Sequence, residues 1–134
     1  MAQAAQQDFI GAVKSCLSKY GDFSGRAPRT ELWWWVLFVL LLDIGASLIG
    51  VALDSGAEGG HVYVMVLRGL ASLAVLLPGL AVAVRRLHDI DKSGWWLLIG
   101  IIPFFGALVL LIFYCLPGTR GANRFGPDPL TQAV

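Results

Sequence analysis

Charged residues are scarce in this sequence, and their scarcity limits what the chain can be. Only 14% of its 134 residues are Asp, Glu, Lys or Arg, whereas 57% are hydrophobic. A soluble globular domain has roughly a quarter charged residues and at most about half apolar ones, so the composition argues against an ordinary water-soluble protein. The net charge of +1 is too small to indicate nucleic acid as a partner. The length fits one domain, and we treat residues 1–134 as a single membrane domain.

Cysteine is also rare, and metal-ligand spacing is missing. The two cysteines, Cys16 and Cys115, do not form a CxxC pair, so we predict no metal site, no redox motif and no cofactor. On the topology predicted below they lie near opposite membrane faces, which disfavours a disulfide. Residues 1–7 contain no Lys or Arg, so a cleavable signal peptide is not predicted.

Long apolar stretches dominate the rest of the chain. A helix needs about 20 apolar residues to cross the ~30 Å hydrocarbon core, and residues 32–53, 62–84 and 95–116 meet that requirement. Residues 97–113 lack the polar face that a soluble surface helix carries. The sequence therefore predicts an all-α, polytopic membrane helical bundle with three transmembrane helices, followed by a polar tail over residues 117–134.

The first segment has a different pattern. Apolar side chains recur at helical spacing over residues 8–20, with Lys14 and Lys19 between them. This pattern predicts an N-terminal interfacial amphipathic helix lying on the cytoplasmic leaflet. Packing against a partner protein is the alternative.

The lysines and arginines near the span ends predict the orientation. With the N-terminus in the cytoplasm, seven of these residues face inward, and Arg120 and Arg124 face outward. We therefore predict a cytoplasmic N-terminus and a periplasmic C-terminus. The break at residues 102–106 leaves an alternative, a re-entrant hairpin that returns the tail to the cytoplasm. A single kinked helix is preferred because each hairpin arm would be only about 15 Å long and bends exposed to lipid are unfavourable.

Charged residues concentrate between the second and third spans. Arg85, Arg86 and Lys92 are predicted to hold an anion at the membrane surface, either an anionic lipid headgroup or a partner protein. No residue is assigned a catalytic role. The alternative is a lipid-modifying enzyme that uses His88 and Asp89 as an acid–base pair.

Two charged residues, Asp43 and Arg68, lie inside predicted spans. Charges at such positions are costly and usually face the bundle interior. Adhesion between helices is the preferred interpretation, and the alternative is a channel or transporter component for ions, protons or small solutes. Close helix contacts at Gly45, Gly50 and Gly79 further predict a homo-oligomer.

Four segments resemble one known family in order and spacing: Phe23–Trp33, Arg85–Asp89, Ser93–Trp96 and Gly121–Pro129. They are similar to the domain of unknown function 805 family of small bacterial inner-membrane proteins, over roughly residues 9–129. The family usually has an aromatic residue where Leu32 stands here. The resemblance implies a compact multi-pass bundle in the inner membrane and implies no reaction. Its signature residues here are Gly25, Arg26, Arg29, Glu31, Trp33, Arg85, Arg86, His88, Asp89, Gly94, Trp95, Asn123, Gly126, Pro127 and Pro129.

Together these patterns predict a non-enzymatic membrane module whose basic cytoplasmic rim binds membrane lipids or a membrane protein partner. The candidate binding or motif residues are Arg26, Arg29, Glu31, Trp33, Arg85, Arg86, His88, Asp89, Lys92, Trp95, Trp96, Asn123 and Arg124.

Overall fold

The computed structural model describes residues 8–56, 58 and 61–131, and in these residues the regular structure is helical. The order is α1 (Phe9–Ser18), α2 (Arg29–Asp54), α3 (Val62–Asp89), a 3-10 helix η1 (Gly94–Ile101) and α4 (Phe105–Cys115). The all-α prediction is confirmed for this part of the chain.

Helices α2 and α3 are the two helices in the described residues that are long and apolar enough to cross a membrane, with mean hydropathies of 2.5 and 1.9. Only 6% and 11% of their most apolar windows are buried within the chain. Leu48, Met65 and Leu73 are each more than two-thirds exposed, whereas the core helix of a soluble protein would hide such side chains. The predicted helices over residues 32–53 and 62–84 are thus present, and their apolar surface faces outward.

Helices α2 and α3 approach closely near the end of α2 because glycine allows the two backbones to touch. A Cβ at Gly50 would lie 2.5 Å from Val64 Cα. The Asp54 carboxylate accepts hydrogen bonds from the backbone N–H groups of Tyr63 (3.0 Å) and Val64 (3.2 Å), so it caps the start of α3. Gly50, which we expected to serve contacts between copies, is therefore used within one chain.

The prediction of contacts between copies also named Gly45 and Gly79, and these two glycines have different surroundings. A Cβ at Gly79 would lie 3.4 Å from Trp35 Nε1, so Gly79 also packs within the chain. Nothing lies within 4 Å of a Cβ placed at Gly45.

A proline inside α3 is accommodated by a side chain from outside the helix. Pro78 has no N–H, so the Ala74 carbonyl loses its usual partner four residues on. The Tyr20 hydroxyl donates to that carbonyl at 2.7 Å. An unpaired carbonyl is costly in lipid, and this contact removes the cost while tying the end of the N-terminal segment to α3.

Helix α1 packs on α2 through its apolar face. Ala12 and Cys16 are fully buried, and the Phe9 ring lies edge-on to Trp34 with 5.9 Å between centroids. The helix begins and ends inside the predicted range of residues 8–20. Its position on the leaflet stays a prediction.

The third apolar stretch folds as a hairpin. The 3-10 helix η1 and helix α4 pack side by side in antiparallel register: Trp96 lies beside Phe113 with ring centroids 5.5 Å apart, and a Cβ at Gly100 would lie 3.3 Å from Leu110. The Ile99 carbonyl occupies the space that a Cβ at Gly106 would need. The prediction of one transmembrane helix over residues 95–116 is therefore wrong.

The bend is stable in an apolar environment because hydrogen bonds satisfy most of its backbone groups. Phe105 N–H donates to the Pro103 carbonyl at 2.7 Å, and Gly106 N–H donates to the Ile102 carbonyl at 3.1 Å. Phe104 takes a positive φ of 65° to reverse the chain. Pro103 itself has no N–H to satisfy. Each arm is about 16 Å long by its helical rise, roughly half of a bilayer core.

The hairpin returns the chain to the end of the bundle at which α3 ends and α2 begins. The Arg26 guanidinium donates to the carbonyls of Thr119 and Gly121, and the Thr119 N–H donates to the Asp89 carbonyl at 2.7 Å. The predicted separation of the N-terminal flank and the tail by the bilayer is therefore wrong, because residues 117–131 pack on the loop before α2 and on the end of α3.

The same correction applies to the cysteines. Both are free thiols, but they do not lie at opposite faces. The Cys115 carbonyl accepts a hydrogen bond from Arg29 at the start of α2, and Cys16 contacts Glu31 in the same turn of that helix.

Candidate functional site

A buried ion-pair cluster lies where the starts and ends of the helices meet. We use this name for Arg26, Glu31, Arg85, Arg86 and Asp89, whose exposed fractions range from 0% to 7%. The sequence places them far apart, and the antiparallel arrangement of α2 and α3 brings them together. Charges this deeply buried need partners.

Glu31 and Arg85 form the first pair, with 2.6 Å between Oε1 and Nη1. Glu31 lies in the first turn of α2, where the helix dipole favours a negative charge. Its Oε1 also accepts from the Ser15 hydroxyl at 3.1 Å, so α1 joins the pair. Arg85 Nε and Nη2 are buried and have no hydrogen-bond partner among the described residues, so Glu31 is the one described group that compensates the Arg85 charge.

Asp89 is held between two arginines. Its Oδ1 lies 2.9 Å from the Arg26 guanidinium, and its Oδ2 pairs with Arg86 Nη1 three residues earlier on α3. Gly118 must be glycine here, because the Asp89 carboxylate fills the space that a Cβ would occupy.

The arginines also bind the end of the hairpin formed by η1 and α4. Arg86 donates to the carbonyls of Tyr114 (3.4 Å) and Leu116, and Arg29 donates to the Cys115 carbonyl at 3.2 Å. These are among the carbonyls that the end of α4 leaves without helical partners. The cluster therefore fastens the hairpin to α2 and α3.

His88 has a different environment from its neighbour Asp89. Its Nδ1 lies 2.9 Å from the Gly25 carbonyl oxygen, so this nitrogen donates to it. The ring stacks on Phe125 with 3.9 Å between centroids and 2° between planes, and Asn123 Nδ2 donates to the His88 carbonyl at 2.9 Å. His88 and Asp89 thus contact different groups, and the structure does not bring them together as an acid–base pair.

Two of the exposed arginines at this end share a cavity. Arg29 and Arg120 are exposed and line one cavity of about 340 Å³, together with Thr30 and parts of the tail. The Thr30 hydroxyl oxygen is buried and has no hydrogen-bond partner in the described residues. The cavity lies at the start of α2, whose N-cap residue Pro28 makes no side-chain capping bond. We call it the basic cavity.

The basic cavity also contains carboxylates, and these are engaged. Asp128 accepts from the backbone N–H groups of Gly121 and Leu130, both at 3.0 Å, and Asp89 is paired as described above. Asp128 keeps its negative charge, because its partners are neutral N–H groups, and the exposed Arg29 and Arg120 are the positively charged groups of the lining.

An apolar groove of about 640 Å³ adjoins the basic cavity and shares Arg29 and Thr30 with it. Trp33, Trp34, Leu37 and Cys115 complete its lining. We call it the tryptophan groove. It leads from charged residues at the end of the bundle onto the apolar side of α2.

The remaining predicted site residues lie around this end. Lys92 Nζ lies 5.2 Å from the ring centroids of both Trp96 and Phe113, within the range of cation–π attraction. Trp95 is 78% exposed, and Arg124 pairs with Asp91 at 3.3 Å on the surface. Trp35, by contrast, belongs to the buried core.

Asp43 and Arg68 are brought together away from this end. Arg68 Nε donates to Asp43 Oδ1 at 2.8 Å, and Arg68 Nη2 donates to Oδ2 at 3.2 Å.

Outside helices α2, α3 and α4, the pKa values of Cys16 and Asp22 are shifted. Burial, reinforced by the neighbouring Glu31 carboxylate, raises the pKa of the Cys16 thiol to about 12. Hydrogen bonds from the hydroxyl and N–H of Ser24 lower the pKa of Asp22 in the loop before α2. Cys16 is therefore a protonated thiol at neutral pH and is not a nucleophile there. In the described part of the chain, no three His, Cys, Asp or Glu side chains are grouped to hold a metal ion.

Sequence reasoning missed Thr30 and Arg120 as cavity residues and Asp128 as the residue that orders the tail. Nothing in the sequence indicated Thr30, because its importance comes from a buried hydroxyl without a hydrogen-bond partner in the described residues, which only the structure reveals. From the sequence, Arg120 was used only to predict the orientation in the membrane. Because the chain folds back as a hairpin, Arg120 lies at the end of the bundle opposite to the predicted one.

Known proteins similar to this chain include two that are named inner membrane proteins. The family model described as "Protein of unknown function (DUF805)" matches residues 20–127. The chain is 45% identical over 115 residues to "Inner membrane protein YhaI" of Escherichia coli strain K12, covering 86% of this chain and 92% of that protein. It is 42% identical over 113 residues to "Inner membrane protein YhaH" of the same strain, covering 84% and 91%. "Uncharacterized protein YiiR" of that strain is 28% identical over 138 residues, covering 84% and 88%. No solved structure matches the chain.

Proposed function

We propose that this chain, which belongs to the DUF805 family of proteins of unknown function, is an inner-membrane protein that binds an anionic phospholipid at the cytoplasmic surface. The observation that carries the proposal is the junction of the basic cavity with the tryptophan groove at Arg29 and Thr30. A headgroup phosphate would occupy the cavity, and an acyl chain of the same lipid would lie along the groove.

The cytoplasmic assignment follows from where the basic residues collect. With the hairpin folded back, nine of the ten lysines and arginines belong to segments at one end of the bundle, and Arg68 is the exception. Such residues are retained in the cytoplasm when the chain inserts. We propose that both termini are cytoplasmic and that the connection between α2 and α3 lies on the periplasmic side.

A topology reporter tests this assignment directly. A reporter that is active only in the cytoplasm, fused after Val134, should be active, and the same reporter inserted at Gly56 should be silent. Activity at Gly56 and none after Val134 would reverse the assignment.

The chemistry of the cavity fits a phosphate group. Arg29 and Arg120 are the exposed arginines of its lining, and guanidinium groups bind phosphate oxygens through paired N–H donors. The first N–H groups of α2 have no helical partners, and such groups favour anions. The Thr30 hydroxyl, buried without a partner in the described residues, supplies a further donor.

The groove explains why the anion would belong to a lipid. A free phosphate would use only the basic cavity, whereas an apolar groove beginning at the same two residues matches a molecule with an anionic end and an apolar chain. Trp33 is 38% exposed in that groove, as expected for a ring at the headgroup level. In this proposal Arg85 and Arg86 do not contact the lipid but hold the surrounding structure in place, because they are buried in the ion-pair cluster.

Quenching of tryptophan fluorescence tests the proposal with the purified, full-length protein. The protein is reconstituted in phosphatidylcholine bilayers that contain increasing fractions of phosphatidylglycerol with brominated acyl chains. Brominated phosphatidylglycerol should displace phosphatidylcholine near the tryptophans at a lower mole fraction than brominated phosphatidylcholine does. The double variant Arg29→Gln/Arg120→Gln should lose this preference, by about fivefold for each arginine at ~1 kcal/mol per basic residue near a membrane surface.

Arg124→Gln is the matched control, because Arg124 is an exposed arginine at the same end that lies outside the cavity lining. This variant should keep the preference. Equal quenching by both lipids in the parent protein, or an unchanged preference in the double variant, would contradict lipid binding at this site. A protein partner lost only from the double variant, with no lipid preference in the parent, would favour the protein-binding alternative instead.

A further inference from the structure

The ion pair of Asp43 and Arg68 lies apart from the proposed lipid site, within the spanning helices. Asp43 is about 16 Å from the α2 end at Asp54, and Arg68 is about 9 Å from the α3 start at Val62, by helical rise. Both positions fall inside a hydrocarbon core of ~30 Å.

This pair is exposed, unlike the ion pairs of the buried cluster. The side chains of Arg68 and Asp43 are 52% and 38% exposed in the single chain, whereas those in the buried cluster's pairs are at most 6% exposed. Arg68 uses Nε and Nη2 toward Asp43, and in the part of the chain that the structure describes its Nη1 makes no hydrogen bond. Lipid tails offer no acceptor to these remaining N–H groups, so a single chain in a bilayer leaves them unsatisfied.

We propose that a second copy of this chain covers the pair, with a two-fold axis along the membrane normal. Rotation about that axis keeps Asp43 and Arg68 at their depths and can place each Asp43 beside the partner's Arg68. The four charges then alternate in sign around the axis, so the surface is complementary to itself. Each guanidinium gains a second carboxylate for its free N–H groups.

The surface next to the pair permits this approach. Asp43 and Ser72 line a small cavity of about 120 Å³, which shares Val39, Ser72 and Val75 with a longer apolar groove between α2 and α3. Ala71 also lines the cavity. Small side chains allow helices to approach closely in membranes, where interhelical polar contacts then add to the association.

Charge complementation between two variants tests the intermolecular contact specifically. Asp43→Arg gives a chain with two basic residues at this site, and Arg68→Asp gives a chain with two acidic ones. Each alone should dimerise about tenfold more weakly than the parent, a loss of the size expected for interhelical polar contacts in membranes. Mixed together with different fluorescent labels in nanodiscs or mild detergent, the two variants should form heterodimers with parent-like energy transfer.

Control and folding measurements keep the test decisive. The same reversals at the surface pair, Asp91→Arg and Arg124→Asp, should leave dimerisation unchanged. If both single variants fail to accumulate, the uncharged double variant Asp43→Asn/Arg68→Gln takes their place and should be helical and monomeric. A monomeric parent protein, no heterodimer from the folded variants, or a dimeric uncharged double variant would overturn the proposal and would indicate that lipid alone covers this face.

Discussion

Removing the negative charge of Glu31 should be among the most destabilising single changes in this chain. In Glu31→Gln the shape of the side chain is kept, but Arg85 retains a positive charge with no carboxylate beside it. The side chains of Arg85 and Glu31 are 1% and 2% exposed, so solvent cannot replace the lost partner. Arg85 Nε and Nη2 are already without partners among the described residues.

The expected magnitude follows from this burial. Breaking a buried ion pair by removing one partner costs ~3–5 kcal/mol, because the remaining charge is left uncompensated. Replacing both residues by apolar ones of similar size removes that penalty, so Glu31→Met/Arg85→Met should lie within ~1–2 kcal/mol of the parent. The Ser15 hydroxyl, 3.1 Å from Glu31 Oε1, would lose its acceptor in the double variant, which favours the upper part of that range.

Equilibrium unfolding in mixed detergent micelles, followed by the loss of helical circular dichroism, measures these differences. Asp91→Asn is the control, since it breaks the surface pair with Arg124, whose side chains are 49% and 62% exposed. Such pairs contribute ~0–1 kcal/mol. A Glu31→Gln variant that stays within about 1 kcal/mol of the parent in this assay would show that Arg85 is not held by Glu31 and that the buried cluster does not stabilise the fold.

Three further changes test other parts of the fold. Tyr20→Phe leaves the Ala74 carbonyl unpaired beside Pro78 and should cost ~1–3 kcal/mol in the same unfolding assay; an unchanged midpoint would contradict the role of this hydroxyl. Gly106→Val places a side chain where the Ile99 carbonyl lies and should open the hairpin, detected as faster protease cleavage within residues 117–131. With its pKa raised to about 12, Cys16 should resist maleimide at pH 7 until the protein is unfolded in SDS, whereas the exposed Cys115 should react in the native state, and equal rates would contradict the burial of Cys16.

The membrane character and the two long apolar helices were predictable because they depend on length and hydropathy alone. Residues 32–53 and 62–84 lie inside α2 and α3. The few charges within these stretches do not change the length over which they are apolar. The helix near the N-terminus was predictable for the same kind of reason, since its apolar side chains recur at helical spacing.

The third stretch could not be resolved by such a count. Hydropathy gives the same value for one helix of 22 residues as for two short arms joined by a bend. The difference lies in whether the bend can satisfy its own backbone, which depends on Pro103 lacking an N–H and on the positive φ of Phe104. It also depends on Gly106, whose missing side chain admits the Ile99 carbonyl. These are properties of packed arms, and the sequence showed only that a break was present.

The hairpin error determined the error about the site. With the tail on the far side, Arg85 and Arg86 were the basic residues most available to bind an anion, and Arg120 was excluded. Once the tail returns, the ends of α3 and α4 meet the loop before α2, and the residues best placed to pair with Arg86 and Arg26 are Asp89 and the carbonyls of the tail. The arginines at the centre become structural, and the binding role that we propose passes to Arg29 and Arg120 at the edge. A sequence shows which residues carry charge, but the fold decides which of those charges are compensated internally. This membrane protein has few charges. A single short hairpin that folds back is therefore sufficient to decide which arginines are compensated within the fold and which remain accessible.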